Sequence, residues 1–132
     1  MKPPNAGDAA HLDLFLVEND ADTRKFLSMY LEALGHVVRS AETVAQARAD
    51  LRVAPCDALL VDISLADGTG WDLLRLVEED GATLPFCVAM SGFGADGDRA
   101  RSRAAGFRHH LVKPVDGATL RRVLAEAASE RR

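Results

Sequence analysis

The sequence predicts a doubly wound α/β domain, a parallel sheet of five strands alternating with five helices. Apolar runs of strand length alternate along the chain with stretches whose apolar residues recur at helical spacing. The central runs, 58–61 and 84–90, are apolar almost without a break, as expected of parallel strands covered on both faces. Polar residues capable of chemistry follow four of the five runs, and right-handed crossovers would bring all four sets to one edge of the sheet.

Residues 12–17 form the first strand, ended by Glu18, Asn19 and Asp20, which cannot continue a buried strand. Phe26, Leu27, Tyr30, Leu31 and Leu34 then make the apolar stripe of a helix that Gly35 closes with a left-handed cap. A second strand lies around Val37 and Val38. Val44, Ala47 and Leu51 mark the next helix, with Pro55 as its stop. Residues 57–61 give the third strand, Asp67, Gly68, Thr69 and Gly70 a turn, and 71–77 a helix burying Leu73, Leu74 and Val77. The fourth strand is 85–90, followed by a polar helix from about Ala95 to Ala105 that ends at Gly106. A fifth strand near 108–112 leads to Asp116, an N-cap for a last helix with Leu120, Val123, Leu124 and Ala127 as its stripe. The expected organisation is a loose polar leader at 1–11, one domain at 12–128 and a frayed end at 129–132.

With 132 residues, 48% of them hydrophobic, the chain can bury a core without disulfides or structural metal. The net charge of −4 argues against a uniformly basic surface for nucleic-acid backbones or anionic lipid, so neither nucleic acid nor a membrane is an expected partner. No apolar run approaches the ~20 residues that span a bilayer, and residues 1–11 lack a signal-peptide core, so a cytoplasmic location is expected. Cys56 and Cys87 read as free thiols of a reducing compartment.

The residues after the strands share a chemistry. Glu18, Asn19, Asp20 and Asp62 offer oxygen atoms that would repel one another if left bare, yet suit a hard cation such as Mg²⁺ (or Mn²⁺). A metal beside a carboxylate neutralises charge on an incoming phosphoryl group, while the Lys113 ammonium and the Ser91 hydroxyl could contact its other oxygens. Asp62 could then act as the nucleophile.

The segments Leu16, Val17, Glu18, Asn19; Leu60, Val61, Asp62; Ala89, Met90, Ser91, Gly92; and Leu111, Val112, Lys113, Pro114 together resemble a response-regulator receiver domain, over residues 12–128. The resemblance implies a flavodoxin-like fold and a phosphorelay role. Asp62 would be the phosphoacceptor, with Glu18 and Asn19 in the acidic pocket, the Ser64 carbonyl as a backbone metal ligand, and Ser91 and Lys113 on the phosphoryl oxygens. It also implies a cis Lys113–Pro114 bond, a histidine kinase or histidine phosphotransfer protein as donor, and a downstream target protein at the surface of the fourth helix, fifth strand and fifth helix. Arg99, Arg101, Arg103, Arg108, Arg121 and Arg122 concentrate charge there that would suit an acidic partner.

Two positions depart from the family pattern. Asn19 stands where an acidic metal ligand is usual, which should weaken metal binding, with Asp20 as a candidate substitute. His110 stands where an aromatic ring swings inward on activation; the expectation is a surface ring able to make the same motion. The alternative reading is a pseudo-receiver, an interaction module that works without phosphorylation. An aspartate-nucleophile phosphatase is disfavoured because Ser64 occupies the place of the acid such enzymes need. A flavin carrier is disfavoured because the first loop lacks a hydroxyl-rich phosphate cradle. His109 and His110, as strand neighbours, point to opposite faces and cannot share an ion. Trp71 reads as a packed residue, and Ser64 and Phe93 flank the site where they would govern water access.

Overall fold

The computed structural model describes residues 11–92 and 96–131, with Asp96 described by its backbone alone. The alternation read from the sequence is realised as β1 (Asp13–Val17), α1 (Ala21–Ala33), β2 (Val37–Ala41), α2 (Val44–Val53) and β3 (Ala58–Asp62). Then come α3 (Gly70–Glu79), β4 (Phe86–Ser91), α4 (Asp96–Ala105), β5 (His109–Val112) and α5 (Gly117–Glu130). The five strands form one parallel sheet in the order β2-β1-β3-β4-β5. The chain runs outward from β1 to β2 and then returns to β3, so the order reverses beside β1 and opens a crevice at the carboxyl ends of β1 and β3.

Period-two alternation divides the strands between two cores. Leu14, Leu16, Leu60, Val88 and Met90 pack on Leu27 and Leu31 of α1 and on Leu120, Val123, Leu124 and Ala127 of α5. Phe15, Val17, Leu59, Val61, Cys87 and Ala89 pack on Val44 and Ala47 of α2 and on Leu73, Leu74 and Val77 of α3. The parallel pairing continues beyond the strand ends, because Glu18 N donates to Ala41 O at 3.0 Å, Ile63 N to Met90 O at 2.9 Å and Lys113 N to Ser91 O at 2.7 Å. The loops that carry the site are therefore anchored to the sheet.

Helix ends are set locally. Asp20, Thr43, Thr69 and Asp116 cap α1, α2, α3 and α5, and Thr69 with Asp72 forms a reciprocal capping box. Gly35 follows α1 at φ 101° and Gly106 follows α4 at φ 116°, backbone that favours glycine. Gly70 serves a different purpose. A β-carbon there would sit 2.9 Å from Val61 Cγ1 and 3.1 Å from the Asp62 carbonyl oxygen. Gly70→Ala should therefore overpack the joint between α3 and the end of β3 and cost about 1–3 kcal/mol, read as a lower urea midpoint.

Several expectations need correction. Phe26, assigned to the buried stripe of α1, is 68% exposed, and Leu27 and Leu31 alone are buried on that helix. The third strand starts at Ala58, leaving Asp57 outside it to accept the Asp13 backbone N–H at 2.8 Å. The turn at 67–70 is part of a small antiparallel hairpin, Ser64–Leu65 with Gly68–Thr69, that has no apolar period to reveal it. Its Asp67 carboxylate accepts the N–H groups of Val44 at 2.8 Å and Ala45 at 3.0 Å, fixing the start of α2. Ser129 and Glu130 belong to α5. The leader to residue 10, Phe93, Ala95 and Arg132 lie outside the described residues. Cys56 and Cys87 are free thiols; burial pushes Cys56 up to about 12 and Cys87 further in the same direction, so both are poor nucleophiles.

Candidate functional site

The crevice holds two carboxylates tied by one ammonium. Lys113 Nζ donates to Glu18 Oε1 at 2.6 Å and to Asp62 Oδ2 at 2.7 Å. The other oxygens are also engaged: Glu18 Oε2 accepts Asp20 N–H at 3.0 Å, and Asp62 Oδ1 accepts Ser64 N–H at 3.1 Å. The Glu18 side chain is 1% exposed and that of Asp62 8%, against 27% for Lys113, so the ammonium forms the open side of a nearly buried cluster. Burial works to lower the Lys113 pKa, but its bonds to Asp62 and Glu18 outweigh burial and raise it above the ordinary lysine range. The lysine is therefore charged at neutral pH.

Each residue is placed by the fold. Glu18 and Lys113 follow β1 and β5, Asp62 ends β3, and Ser91 ends β4 with its side chain buried. Lys113 is followed by a cis peptide bond to Pro114. Arg24, which the sequence did not single out, reaches back from α1 to donate from Nη1 to the Glu18 carbonyl oxygen at 2.7 Å. Asn19 is exposed at the rim. Asp20 is committed elsewhere, with Oδ2 accepting Thr23 N–H at 2.8 Å and Thr23 Oγ1–H at 2.6 Å. Those bonds hold its carboxyl below the usual range. In this structure Asp20 caps α1.

The donor chemistry here is all oxygen: two carboxylates, the Asn19 amide and backbone carbonyls. Among the described residues no three of His, Cys, Asp or Glu converge as metal ligands. A partial set of oxygens fits a hard cation that keeps several waters better than it fits zinc.

His110 is the principal correction. It is buried, 9% exposed, with Nδ1 2.8 Å from Ser102 Oγ, and is no surface ring. Ser102 Oγ also accepts the Trp71 indole N–H at 2.9 Å. Trp71 is packed as expected, but its hydrogen bond left no mark in the sequence. His109 faces the other way, with Nε2 2.9 Å from Glu126 Oε1. Of the arginines expected to form a basic face, Arg108 is paired with Glu126 and Glu130, Arg121 donates to the Tyr30 hydroxyl, and Arg101 covers the Trp71 ring. Arg99, Arg103 and Arg122 line a groove of about 400 Å³ between α4 and α5. A second, apolar pocket of about 550 Å³ lies against the site, lined by Phe26, Leu27, Lys113, Pro114 and Val115.

Comparison with known proteins gives a consistent set of similarities. The family described as response regulator receiver domain matches residues 14–125. An uncharacterized 14.6 kDa protein of Leptolyngbya boryana is 31% identical over 119 residues, covering 89% of this chain and 90% of that one. The response regulator protein PilR of Pseudomonas aeruginosa is 31% identical over 85% of this chain but only 25% of its own length. The photosynthetic apparatus regulatory protein RegA of Cereibacter sphaeroides is 31% identical over 81% of this chain and 58% of its own. The chain thus spans a quarter to somewhat over half of the two named regulators. Among solved structures, a two-component response regulator from Clostridium difficile superposes with a TM-score of 0.83 at 21% identity, covering 89% of this chain and 96% of that one. The chemotaxis protein CheY4 of Vibrio cholerae gives 0.80 at 20% identity, covering 87% and 97%. These two likenesses establish the flavodoxin-like fold.

Proposed function

The chain belongs to the response regulator receiver domain family, a signalling module rather than a dedicated enzyme, and on that premise we propose that Asp62 accepts a phosphoryl group from a phosphohistidine donor. The observation that carries this reading is the bridge from Lys113 Nζ to both Glu18 and Asp62. It places a fixed positive charge beside the oxygen that would attack phosphorus. As the phosphorus–nitrogen bond breaks and the Asp62 oxygen–phosphorus bond forms, Lys113 can pass its hydrogen bond from Asp62 to a phosphoryl oxygen. Ser91, at the end of the neighbouring strand, would bind a second oxygen.

Glu18, Asn19, Asp62 and the Ser64 carbonyl would hold Mg²⁺ (or Mn²⁺), which would supply neutralisation of the phosphoryl charge. Asn19 contributes an oxygen without a charge, so the affinity should be lower than with a third carboxylate. The phosphorylated state would be read by a downstream target protein on the α4, β5 and α5 surface. No described helix is long and apolar enough to cross a membrane.

The donor, a histidine kinase or histidine phosphotransfer protein, must approach Asp62 past the apolar pocket that includes Lys113. Exposed Phe26 on its rim would be a contact for that protein and not for a small molecule. Phe26→Asp should slow transfer from a protein donor by about 10-fold, the loss of one well-placed anchor, while phosphorylation by acetyl phosphate is unchanged. The direct test is intact mass after incubation with Mg²⁺ and acetyl phosphate. One phosphoryl adduct supports the reading. No adduct, even with a kinase supplied, leaves an interaction module that works without phosphorylation.

A further inference from the structure

The hydrogen bonds among Trp71, Ser102 and His110, part-buried at Trp71 and buried at His110, connect α3, α4 and β5 and take no part in the chemistry at Asp62. The indole Nε1–H can only donate, so Ser102 Oγ is the acceptor at 2.9 Å. The hydroxyl proton is then available for His110 Nδ1 at 2.8 Å. Donation in turn to Nδ1 would place the imidazole proton on Nε2.

We propose that Trp71 and Ser102 are positioning residues that hold the His110 ring inward through this chain, so that the ring is already inward before Asp62 is phosphorylated. The inference deepens the regulation of the proposed site; its consequence for signalling rests on that reading, but the hydrogen-bond chain does not.

Burial makes the chain a latch instead of an incidental contact. With His110 in place Ser102 is 1% exposed, so the imidazole is a buried partner of its hydroxyl, and swinging the ring out would remove that partner from a buried polar group. The other two members are themselves held. The Arg101 guanidinium lies 4.0 Å above the Trp71 ring and limits movement of the indole. Arg99 Nη1 donates to the His110 carbonyl oxygen at 3.1 Å, tying the β5 backbone to the same helix. Ala89 pairs with His110 in the sheet, and Ala89 lies two residues before Ser91 on β4. The latch and the proposed phosphoryl-binding hydroxyl therefore share one strand pair. Outward rotation of His110 would break its bond to Ser102 and loosen β5 from α4. Phosphorylation would consequently find the ring in place, and the change that a target reads on the α4, β5 and α5 surface would arise elsewhere than at the His110 ring.

The test uses the full chain, ¹⁵N-labelled and unphosphorylated. Long-range ¹H–¹⁵N spectra of wild type should show His110 as one Nε2–H tautomer and the Trp71 indole N–H in slow exchange. Ser102→Ala should mix the tautomers and speed indole exchange by at least about 10-fold, since local opening is then no longer opposed. Trp71→Phe, which keeps an aromatic ring and Ser102 but removes the indole N–H, should lower the tautomer preference to a smaller degree and provides a readout if Ser102→Ala fails to fold. Averaged ring shifts at His110 in wild type, or unchanged tautomers in both variants, would overturn the proposal. Adding Mg²⁺ and beryllium fluoride, a phosphoryl mimic, should leave the wild-type His110 ring shifts in place while moving the Lys113 amide. A large His110 shift would also overturn the latch. An unmoved Lys113 amide would instead count against the phosphoacceptor reading, with the tautomer result still deciding the latch.

Discussion

Asp62→Ala should eliminate the phosphoryl adduct that wild type forms with Mg²⁺ and acetyl phosphate. The expected loss is at least about 10³-fold, the scale on which removal of a nucleophile acts. Among the described residues no neighbouring carboxylate is placed to substitute. Glu18 is almost wholly buried with both oxygens engaged, one by Lys113 and one by the Asp20 backbone N–H. Asp20 is bound to Thr23 at the start of α1. The fold should tolerate the change, because Lys113 keeps Glu18 as a partner and Ser64 N–H lies near the surface. Far-UV circular dichroism and the urea midpoint check that point. An adduct surviving on Asp62→Ala would move the acceptor elsewhere, and its mapped position by fragmentation would name the residue.

How much of this was legible in the sequence depends on the range of the forces involved. The central strands were readable because 58–61 and 86–90 are apolar through and through, a property of each segment by itself. Asp20, Thr43, Thr69 and Asp116 lie next to the helices they cap, and the role of Asp116 could be read directly. Glu18, Asp62, Ser91 and Lys113 could be gathered on one edge because topology fixes where strands end. Contacts between distant segments were not readable. Asp67 caps α2 across more than twenty residues of chain, with backbone N–H groups that carry no side-chain signature. The hairpin that presents it pairs only two residues on each side. The alternation rule correctly sent His109 and His110 to opposite faces. It could not tell that one imidazole would be buried, because that depends on a serine eight residues back and a tryptophan on another helix. Phe26 failed in the opposite direction: it fits the helical stripe by spacing, but the sheet is covered by Leu27 and Leu31, and Phe26 is left at the rim of a pocket.

Lys113→Met should have two separable effects. Without divalent cations it should cost about 3 kcal/mol of stability, at the lower end for removing one partner from a buried ion pair because the lysine is itself 27% exposed. What remains is two buried carboxylates facing each other without the cation that joined them. Lys113 has a raised pKa, so in wild type its contribution is complete at neutral pH, below the ordinary lysine range, and on the alkaline side lapses only as pH climbs through the elevated folded value. Measurements at neutral pH therefore see the whole effect. Mg²⁺ should then stabilise Lys113→Met more than it stabilises wild type, since the ion no longer competes with an ammonium for the Glu18 and Asp62 oxygens. At a concentration 100 times its dissociation constant it should return about 2.7 kcal/mol. Phosphorylation should not recover with stability: with the contact to the phosphoryl oxygen gone, the rate with acetyl phosphate should stay about 10²-fold down even at saturating Mg²⁺. Thermal melts with and without Mg²⁺, paired with adduct formation over time, read both effects. A melt indifferent to Mg²⁺ in this variant would remove the metal from the site, whereas a recovered rate would show that Lys113 serves only to hold the two carboxylates together.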